Sequence, residues 1–574
     1  MNENVYNSAP EPLESIPFEI PETFQTTLGN GLRIVMLPHE RLPLISFRLA
    51  FFSGEANDPA DSFGLINAMM AMLTEGTENH TSRELAEKVE RLGASLSASS
   101  SDDFSIISAS ALSIYRTEIL DLLAEIVFRP TFPDGELDLY KRNTIENLKF
   151  QRSQPGFLAN EQLARILYQG HPYSRIAPKP QEIQKLTQDA LFKRHSQVIV
   201  PNIAVLIVVG DFETESMVKE IEGFFGEWRR GEYNPARFPK PPLPASRTMT
   251  IVDRPGSAQA NILLANLAIP RNHPDYFRVL VMNQILGAGA SSRVFMNLRE
   301  DKGYTYGAYT RFDTKRFNGH FEASAEVRTA VTGASLDEFF YELNRIRDEA
   351  VTEKDLEDAK NFLTGVFPIR AETQEGLTNL IVNQQLYELP NDFLQTYREK
   401  VAEVSIDDVR RAAEKYIRPE SLAIVLVGDA AGILPQAERL ADSVQIFDTD
   451  GKPLERSKFE IDLETPPEDF TGEWELKLDF QGQEVGVRLV IEQKDREIAG
   501  TMKTILGEGK IASGTVNGNK ISATAMTEIQ GQSAEFIIQG EINGEVISGT
   551  ISTPLIPDSL KFTGSRTNQA GAAN

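Results

Sequence analysis

The chain contains no cysteine. Disulfides, thiolate nucleophiles and Cys-based metal sites are therefore excluded, and the redox compartment stays open. Histidine is scarce. The six are His39, His80, His171, His195, His273 and His320, and none has another close enough along the chain to make a local two-His site. Long apolar runs are missing too, with none near the roughly 18 residues a membrane-spanning helix needs. Basic charge is in deficit: 58 Lys and Arg stand against 83 Asp and Glu, a net charge of −25. That balance argues against nonspecific nucleic-acid binding, which needs clustered cations on phosphate. It admits a basic substrate or partner, or simple solubility. The start, MNENVYNSAPEPLESIPFEIPETF, lacks a basic n-region, an apolar h-region and the Arg-rich character of a mitochondrial presequence. As written it favours a cytoplasmic location, and a mature periplasmic form would also fit.

What is present is a long chain of ordinary globular composition, with 574 residues and 41% hydrophobic content. That length predicts three or more domains. A Pro- and Glu-rich lead-in covers residues 1–22. LRIVMLP and LISFRLAFFSG then read as a strand pair. The stretch Phe63 to Thr77, FGLINAMMAMLTEGT, reads as an amphipathic helix ending at Gly76. SRELAEKVERLGA reads as a second helix capped by Thr81 or Ser82. LSASSSDDFSIISASAL alternates as a strand pair, and helical segments follow up to the buried strand IAVLIVVGDF (Ile203 to Phe212).

The order then repeats. PNIAVLIVVGD (Pro201 to Asp211) is matched by PESLAIVLVGD (Pro419 to Asp429). Self-similarity over a domain length points to duplication. The expected organisation is an α+β lobe over 23–230, a Pro-rich linker over 231–245 and a second α+β lobe over 246–450. Composition shifts beyond about residue 455. Eight short strand-like segments with Gly at their turns follow, and GTVNGNKISAT and GEINGEVISGT read as one hairpin used twice. Asn-Gly at 517–518 and 543–544 is the favoured two-residue turn. Residues 465–566 are thus expected to form a small all-β, barrel-like domain, with a disordered tail over 567–574.

The 63–77 stretch resembles the active-site helix of the inverzincin peptidases, the pitrilysin, insulinase and mitochondrial processing peptidase family. Their motif is H-x-x-E-H within a frame close to G-x-x-H-x-x-E-H-M-x-x-x-G-T. Gly64, Met72, Gly76 and Thr77 fit that frame, while the three chemical positions are Asn67, Met70 and Ala71. In the family the two histidines bind zinc and the glutamate acts as general base. Asn67 is a poor zinc ligand, Met70 cannot take a proton from water, and Ala71 has no donor atom. The resemblance implies the peptidase architecture without a metal bound by this chain. The family's third ligand is a Glu about 75 residues further on. Glu146 lies at that distance and Asn147 aligns equally well, but without His partners Glu146 reads as a solvated or ion-paired helix residue.

A second resemblance lies in NQILGAGASSRVFMNLREDKGYTYGAY (Asn283 to Tyr309). It is similar to the family's glycine-loop segment, N-x-x-L-G-G-G-x-x-S-R-L-x-x-x-L-R-E-x-x-G-x-x-Y, with Gly287, Ala288 and Gly289 in the triplet. The family's Arg and Tyr, which face the zinc site from the opposite half, match Arg299 and Tyr306. Such a pair would anchor a substrate carbonyl and stabilise an oxyanion. The plainer reading is an ion-pair residue and a strand residue. GAGASSR lacks the GK[ST] ending of a phosphate loop, and His171 in GHPYSR falls on a family landmark with a packing role.

The resemblance spans about residues 23–445, one two-lobe half of the family's clamshell. It implies a non-catalytic subunit of a heterodimer. A homologous partner with an intact H-x-x-E-H motif would carry the zinc. This chain would supply Arg299 and Tyr306, with Gly287 and Gly289 and the edge strands holding an extended peptide. The alternative is a catalytically dead structural or binding protein of the same fold, like the core subunits of respiratory complexes. A peptidase active through another site is the third reading.

Overall fold

The computed structural model describes residues 19–233, 237–459, 466–480, 483–505, 507–529, 532–553 and 556–567. Most of the N-terminal lead-in, part of the linker and nearly all of the C-terminal tail lie outside these residues. The chain forms two compact units. The first gathers residues up to 140, 185–235 and 360–403; the second gathers 141–184, 236–359 and 404 onward.

The first unit is built on a six-stranded sheet. Its strands are β1 (Phe24–Thr27), β2 (Arg33–Pro38), β3 (Leu44–Phe51), β4 (Ser95–Ser100), β5 (Ser105–Leu112) and β6 (Ala204–Gly210), in the order β1-β2-β6-β3-β5-β4. β6 reads AVLIVVG and is buried at every position, as a strand covered on both faces must be. Its pairing with β2 is parallel and the other pairings are antiparallel.

The second unit carries β7 (Thr248–Asp253), β8 (Gln259–Leu267), β9 (Thr305–Thr314), β10 (Gly319–Arg328), β11 (Ala423–Gly428), β12 (Ser443–Phe447) and β13 (Pro453–Leu454). Their order is β13-β12-β7-β11-β8-β10-β9. From β7 to β9 the order and senses repeat β2 to β4 of the first sheet, with one parallel pair (β7 and β11) followed by antiparallel ones. The duplication read from the two Gly-Asp strands is thus a duplication of sheet topology.

The helices used below are α1 (Leu65–Met72), α2 (Ser82–Arg91), α3 (Asp134–Ser153), α4 (Pro155–Tyr168), α5 (Tyr276–Leu286), α6 (Thr332–Asp348) and α7 (Gln374–Leu386). α2 starts with a capping box between Thr81 and Glu84. α4 belongs to the second unit, where it packs on β8 and β11; α7 belongs to the first, where it packs on β3 and β6. Each sheet is therefore covered by a helix from the other half of the sequence.

Eight antiparallel strands, β14 (Gly472–Phe480), β15 (Gln483–Lys494), β16 (Glu497–Thr504), β17 (Gly507–Asn517), β18 (Lys520–Ile529), β19 (Gln532–Asn543), β20 (Val546–Thr553) and β21 (Ile556–Arg566), close into a barrel. An eight-stranded barrel is narrow enough for side chains to fill. Trp474, Met502, Ala525, Ile538 and Ile547 are fully buried in its core. The Trp474 indole donates to the Phe470 carbonyl at 2.9 Å, and the Arg566 guanidinium lies 4.8 Å from its ring. The two repeated hairpins turn one residue later than the Asn-Gly pairs suggest. Asn517 still pairs with Lys520 and Asn543 with Val546, so the loops are Gly518-Asn519 and Gly544-Glu545. Only the first loop residue has positive φ, 58° and 63°, which is glycine's place in a II′ turn. The barrel rests on the β7–β8 turn. Thr524 donates to the Gly256 carbonyl, and Ile537 fills the space a side chain at Gly256 would need.

Candidate functional site

The motif helix α1 begins at a left-handed Gly64 (φ 89°). The Asp58 carboxylate caps it, accepting from the N–H groups of Gly64 at 2.8 Å and Ile66 at 3.0 Å. Burial raises the Asp58 pKa from 3.8 to about 7, against those two donors and Arg194. The helix ends at Met72, four residues before the Gly76 stop expected from sequence. Leu73 N–H already bonds back to Met70 in a tightened turn, and Gly76 and Thr77 leave the helix to bridge Thr81 and Pro130. Gly76 is still required, for a different reason. Its φ is 152°, and a β-carbon there would meet Pro133 at 2.8 Å.

The three degenerate positions have separate fates. Asn67 is exposed, and every polar arm of its side chain is used. Its amide nitrogen donates to Glu55 at 3.1 Å and Ser100 at 3.3 Å, and its oxygen accepts from the Tyr140 hydroxyl at 2.9 Å. Ser100 also donates to Glu55 at 2.8 Å. Burial pushes the Glu55 carboxyl up, against those donors. Met70 is fully buried in the core. Ala71 is half-buried and offers only a methyl group.

The donor set does not fit a zinc ion. Zinc needs His, Cys or carboxylate ligands at about 2 Å, and this helix presents a spent amide, a buried thioether and a methyl. Among the described residues no group of three His, Asp or Glu has metal-binding geometry. Glu146 is exposed on α3 and ion-paired with Lys149 at 2.7 Å, and its neighbour Asn147 is also exposed. His171 is buried, accepts the Tyr173 N–H and packs on the Tyr173 ring at 4.3 Å.

In the second unit α5 runs into the glycine loop. Gly287 is buried against β9: its carbonyl accepts the Thr310 N–H at 2.9 Å, and a β-carbon on it would stand 2.3 Å from the Thr310 hydroxyl. Asn283 holds the same strand residue, donating to the Thr310 carbonyl and accepting from its hydroxyl. This part of the loop therefore caps the open edge of the sheet. Gly289 has room around it, with only Gln284 at 3.4 Å, and Ala288, Ala290 and Ser291 are exposed.

After a short helical turn at Arg293–Phe295 the backbone widens into a π-helical turn, Met296–Asp301, which carries Arg299. The Arg299 side chain is 45% exposed, 3.5 Å from Glu300 and 5.0 Å above the Phe295 ring. Tyr306 lies at the start of β9 and is 92% exposed. Both side chains face solvent, and neither hydrogen-bonds the other among the described residues. Sequence reasoning missed the partners of the motif helix, Glu55, Ser100 and Tyr140, and the carboxylates Glu338 and Glu342 behind the Arg299 turn. No local pattern marks them; Tyr140 lies 73 residues from the Asn67 it bonds.

Comparison with known proteins places this geometry. The insulinase (peptidase family M16) model matches residues 35–181, and the peptidase M16 inactive domain matches 185–363. Together they cover more than half of the chain. A Helicobacter pylori protein described as a non-peptidase homolog is 24% identical over 397 residues, 68% of this chain and 90% of its own length. The probable mitochondrial-processing peptidase subunit beta of Schizosaccharomyces pombe is 23% identical over 428 residues, 72% of this chain and 92% of its own. The crystal structure of a peptidase M16 inactive domain from Pseudomonas fluorescens superposes with a TM-score of 0.67 at 26% identity, over 71% of this chain and 98% of that one. The two duplicated sheets, the degenerate motif helix and these matches agree: the chain belongs to the insulinase family of peptidases, M16, and carries that family's inactive domain.

Proposed function

We propose that this chain is the non-catalytic subunit of a heterodimeric zinc peptidase. The observation that carries the reading is a division of labour within one chain. The motif helix has lost all three chemical residues, while Arg299 and Tyr306 keep polar side chains open to solvent. A homologous partner with an intact H-x-x-E-H motif would hold the zinc. Arg299 would anchor a substrate carbonyl, and the Tyr306 hydroxyl would donate to the oxygen on which negative charge develops. The relative named as a processing-peptidase subunit supports a two-chain arrangement.

A peptide substrate would lie extended. The outer side of β4, an edge of the first sheet, offers backbone that no described strand pairs, beside mostly Ser and Ala side chains. We assign the exposed loop bounded by Gly287 and Gly289 to contact with the peptide backbone. The test is turnover by the pair reconstituted with an H-x-x-E-H homologue. Arg299→Ala or Tyr306→Phe should lower it by a factor on the order of 10² while the two chains still assemble. Unchanged turnover would remove the role assigned to the pair. A structural or binding protein of the same fold is the second reading, favoured by the relative named a non-peptidase homolog; it requires that no mixture hydrolyse peptide.

A further inference from the structure

The π-helical turn at Met296–Asp301 is the least ordinary backbone near Arg299. Such turns insert an extra residue and persist where neighbours hold them. Here both ends are held by the same helix, α6. At the start, the Asn297 amide donates to two carboxylates at once, Glu338 at 3.0 Å and Glu342 at 2.9 Å. At the end, Lys302 reaches the other oxygen of Glu338 at 2.8 Å. Lys302 N–H bonds to the Asn297 carbonyl at 3.0 Å, the five-residue step of a π turn. Residues five apart on a regular α-helix stand about 140° apart around its axis. The wider turn brings Asn297 and Lys302 closer to one face, where both reach Glu338.

The arrangement leaves bonds unmade. Among the described residues, the second oxygen of Glu342 and the oxygen of Asn297 are buried without hydrogen-bond partners, and Glu342 is only 2% exposed. Buried polar atoms are almost always paired, so two orphans in one contact need a reason. Asn297 cannot be turned over to relieve them, because its nitrogen already serves two carboxylates. Burial opposes ionisation of Glu338, yet Lys302 and Asn297 hold its carboxyl below the ordinary glutamate range. The clamp is therefore charged and directional. Four residues lie between its jaws, Leu298 to Asp301; Leu298 is fully buried, and the turn presents Arg299 outward over Phe295.

We propose that Asn297, Glu338 and Glu342, with Lys302, are positioning residues that set the register of this turn and so the direction of Arg299. The inference rests on the complementation reading, in which Arg299 touches the substrate. It deepens that reading by naming what aims the guanidinium.

The test is a double-mutant cycle on the full-length chain, reconstituted with the H-x-x-E-H homologue of the same organism and assayed on a fluorogenic peptide. Asn297→Leu should lower kcat at saturating peptide about tenfold, with the chains still assembling. Because it strips the donor from buried Glu342, it should also lower the melting temperature of the free chain, and turnover is read well below that temperature. In an Arg299→Ala background the same substitution should cost nothing further, because the group it aims is gone. Lys302→Met releases the other end of the turn at a half-exposed position, where folding is not at risk. It should act in the same direction by a smaller factor, and also only when Arg299 is present. Equal losses with and without Arg299, or full turnover in a folded Asn297→Leu chain, would overturn the positioning role. If Arg299→Ala alone leaves turnover intact, the complementation reading fails first and takes this inference with it.

Discussion

The two sheets share a five-stranded core topology and treat their open edges in opposite ways. In the first, β4 reads SLSASS and, among the described residues, its outer side is paired with no other strand. The helix beside it, α1, has traded ligands for hydrogen bonds: Asn67 joins it to β4 through Ser100 and to α3 through Tyr140. In the second, the edge strand β9 is capped at Thr310 by Gly287 and Asn283, and the polar side chains nearby, Arg299 and Tyr306, point outward. The repeat gives two scaffolds with the same five-stranded core. One has had its reactive positions filled with an amide, a thioether and a methyl, while the other keeps polar groups in reach of solvent. What was lost and what was kept lie on separate units, so loss of the motif need not disturb the residues on the other.

The comparison can be broken first at the capped edge. Gly287→Val would drive side-chain atoms into Thr310, where even a β-carbon stands 2.3 Å from the hydroxyl. Overpacking of this kind costs about 1–3 kcal/mol, so the chain's denaturant midpoint should fall. Ser97→Val on exposed β4 is the matching change in the first sheet. It should shift stability by no more than about 0.5 kcal/mol. Similar losses at both sites would show that the edges are not treated differently.

Asp58 sharpens the contrast through pH. Its pKa is about 7 folded against 3.8 as a free side chain. Between those values the folded chain holds a proton that the unfolded chain releases. Asp58 therefore contributes stability that is full at low pH and is lost as pH rises from about 4 through 7. Asp58→Asn should remove that slope from the pH dependence of unfolding. A slope unchanged in the variant would mean that Asp58 does not titrate in this window.

The smaller effects lie in the Asn67 network. Tyr140→Phe and Asn67→Ala should each cost about 1 kcal/mol, the net worth of an exchanged hydrogen bond. Larger losses would mean that the network carries more of the fold than its exposed position indicates. Rebuilding the motif with Asn67→His, Met70→Glu and Ala71→His should not restore zinc-dependent hydrolysis in the lone chain: a zinc site also needs a third ligand and residues that orient the ligands, and Glu146, at the third-ligand spacing, is ion-paired with Lys149. Metal-dependent turnover by that triple variant would contradict the point.

Much of this was legible in the sequence because it is written locally. The Gly-Asp strands announce the repeat, Gly at the turns announces the eight barrel strands, and the loss of two ligands and a general base can be read within five residues. The rest depends on distance. α4 and α7 each cover the sheet of the opposite half, and no periodicity encodes which sheet a helix will meet. The end of α1 is set by the bridges of Gly76 and Thr77 to Thr81 and Pro130, so a glycine that looked like a helix stop serves a contact with Pro133. Asn517 and Asn543 stay in their strands because a single positive-φ glycine suffices for the turn. Asn297 gave no signal at all, since its role depends on two carboxylates of α6 more than forty residues away.

The most direct measurement is peptide hydrolysis with metal analysis, on the purified chain alone and mixed with an H-x-x-E-H homologue from the same organism. Complementation predicts hydrolysis only in the mixture, with zinc following the partner. Hydrolysis together with bound zinc in the lone chain would contradict it, and would mean that Asn67, Met70 and Ala71 do not mark the loss of the active site.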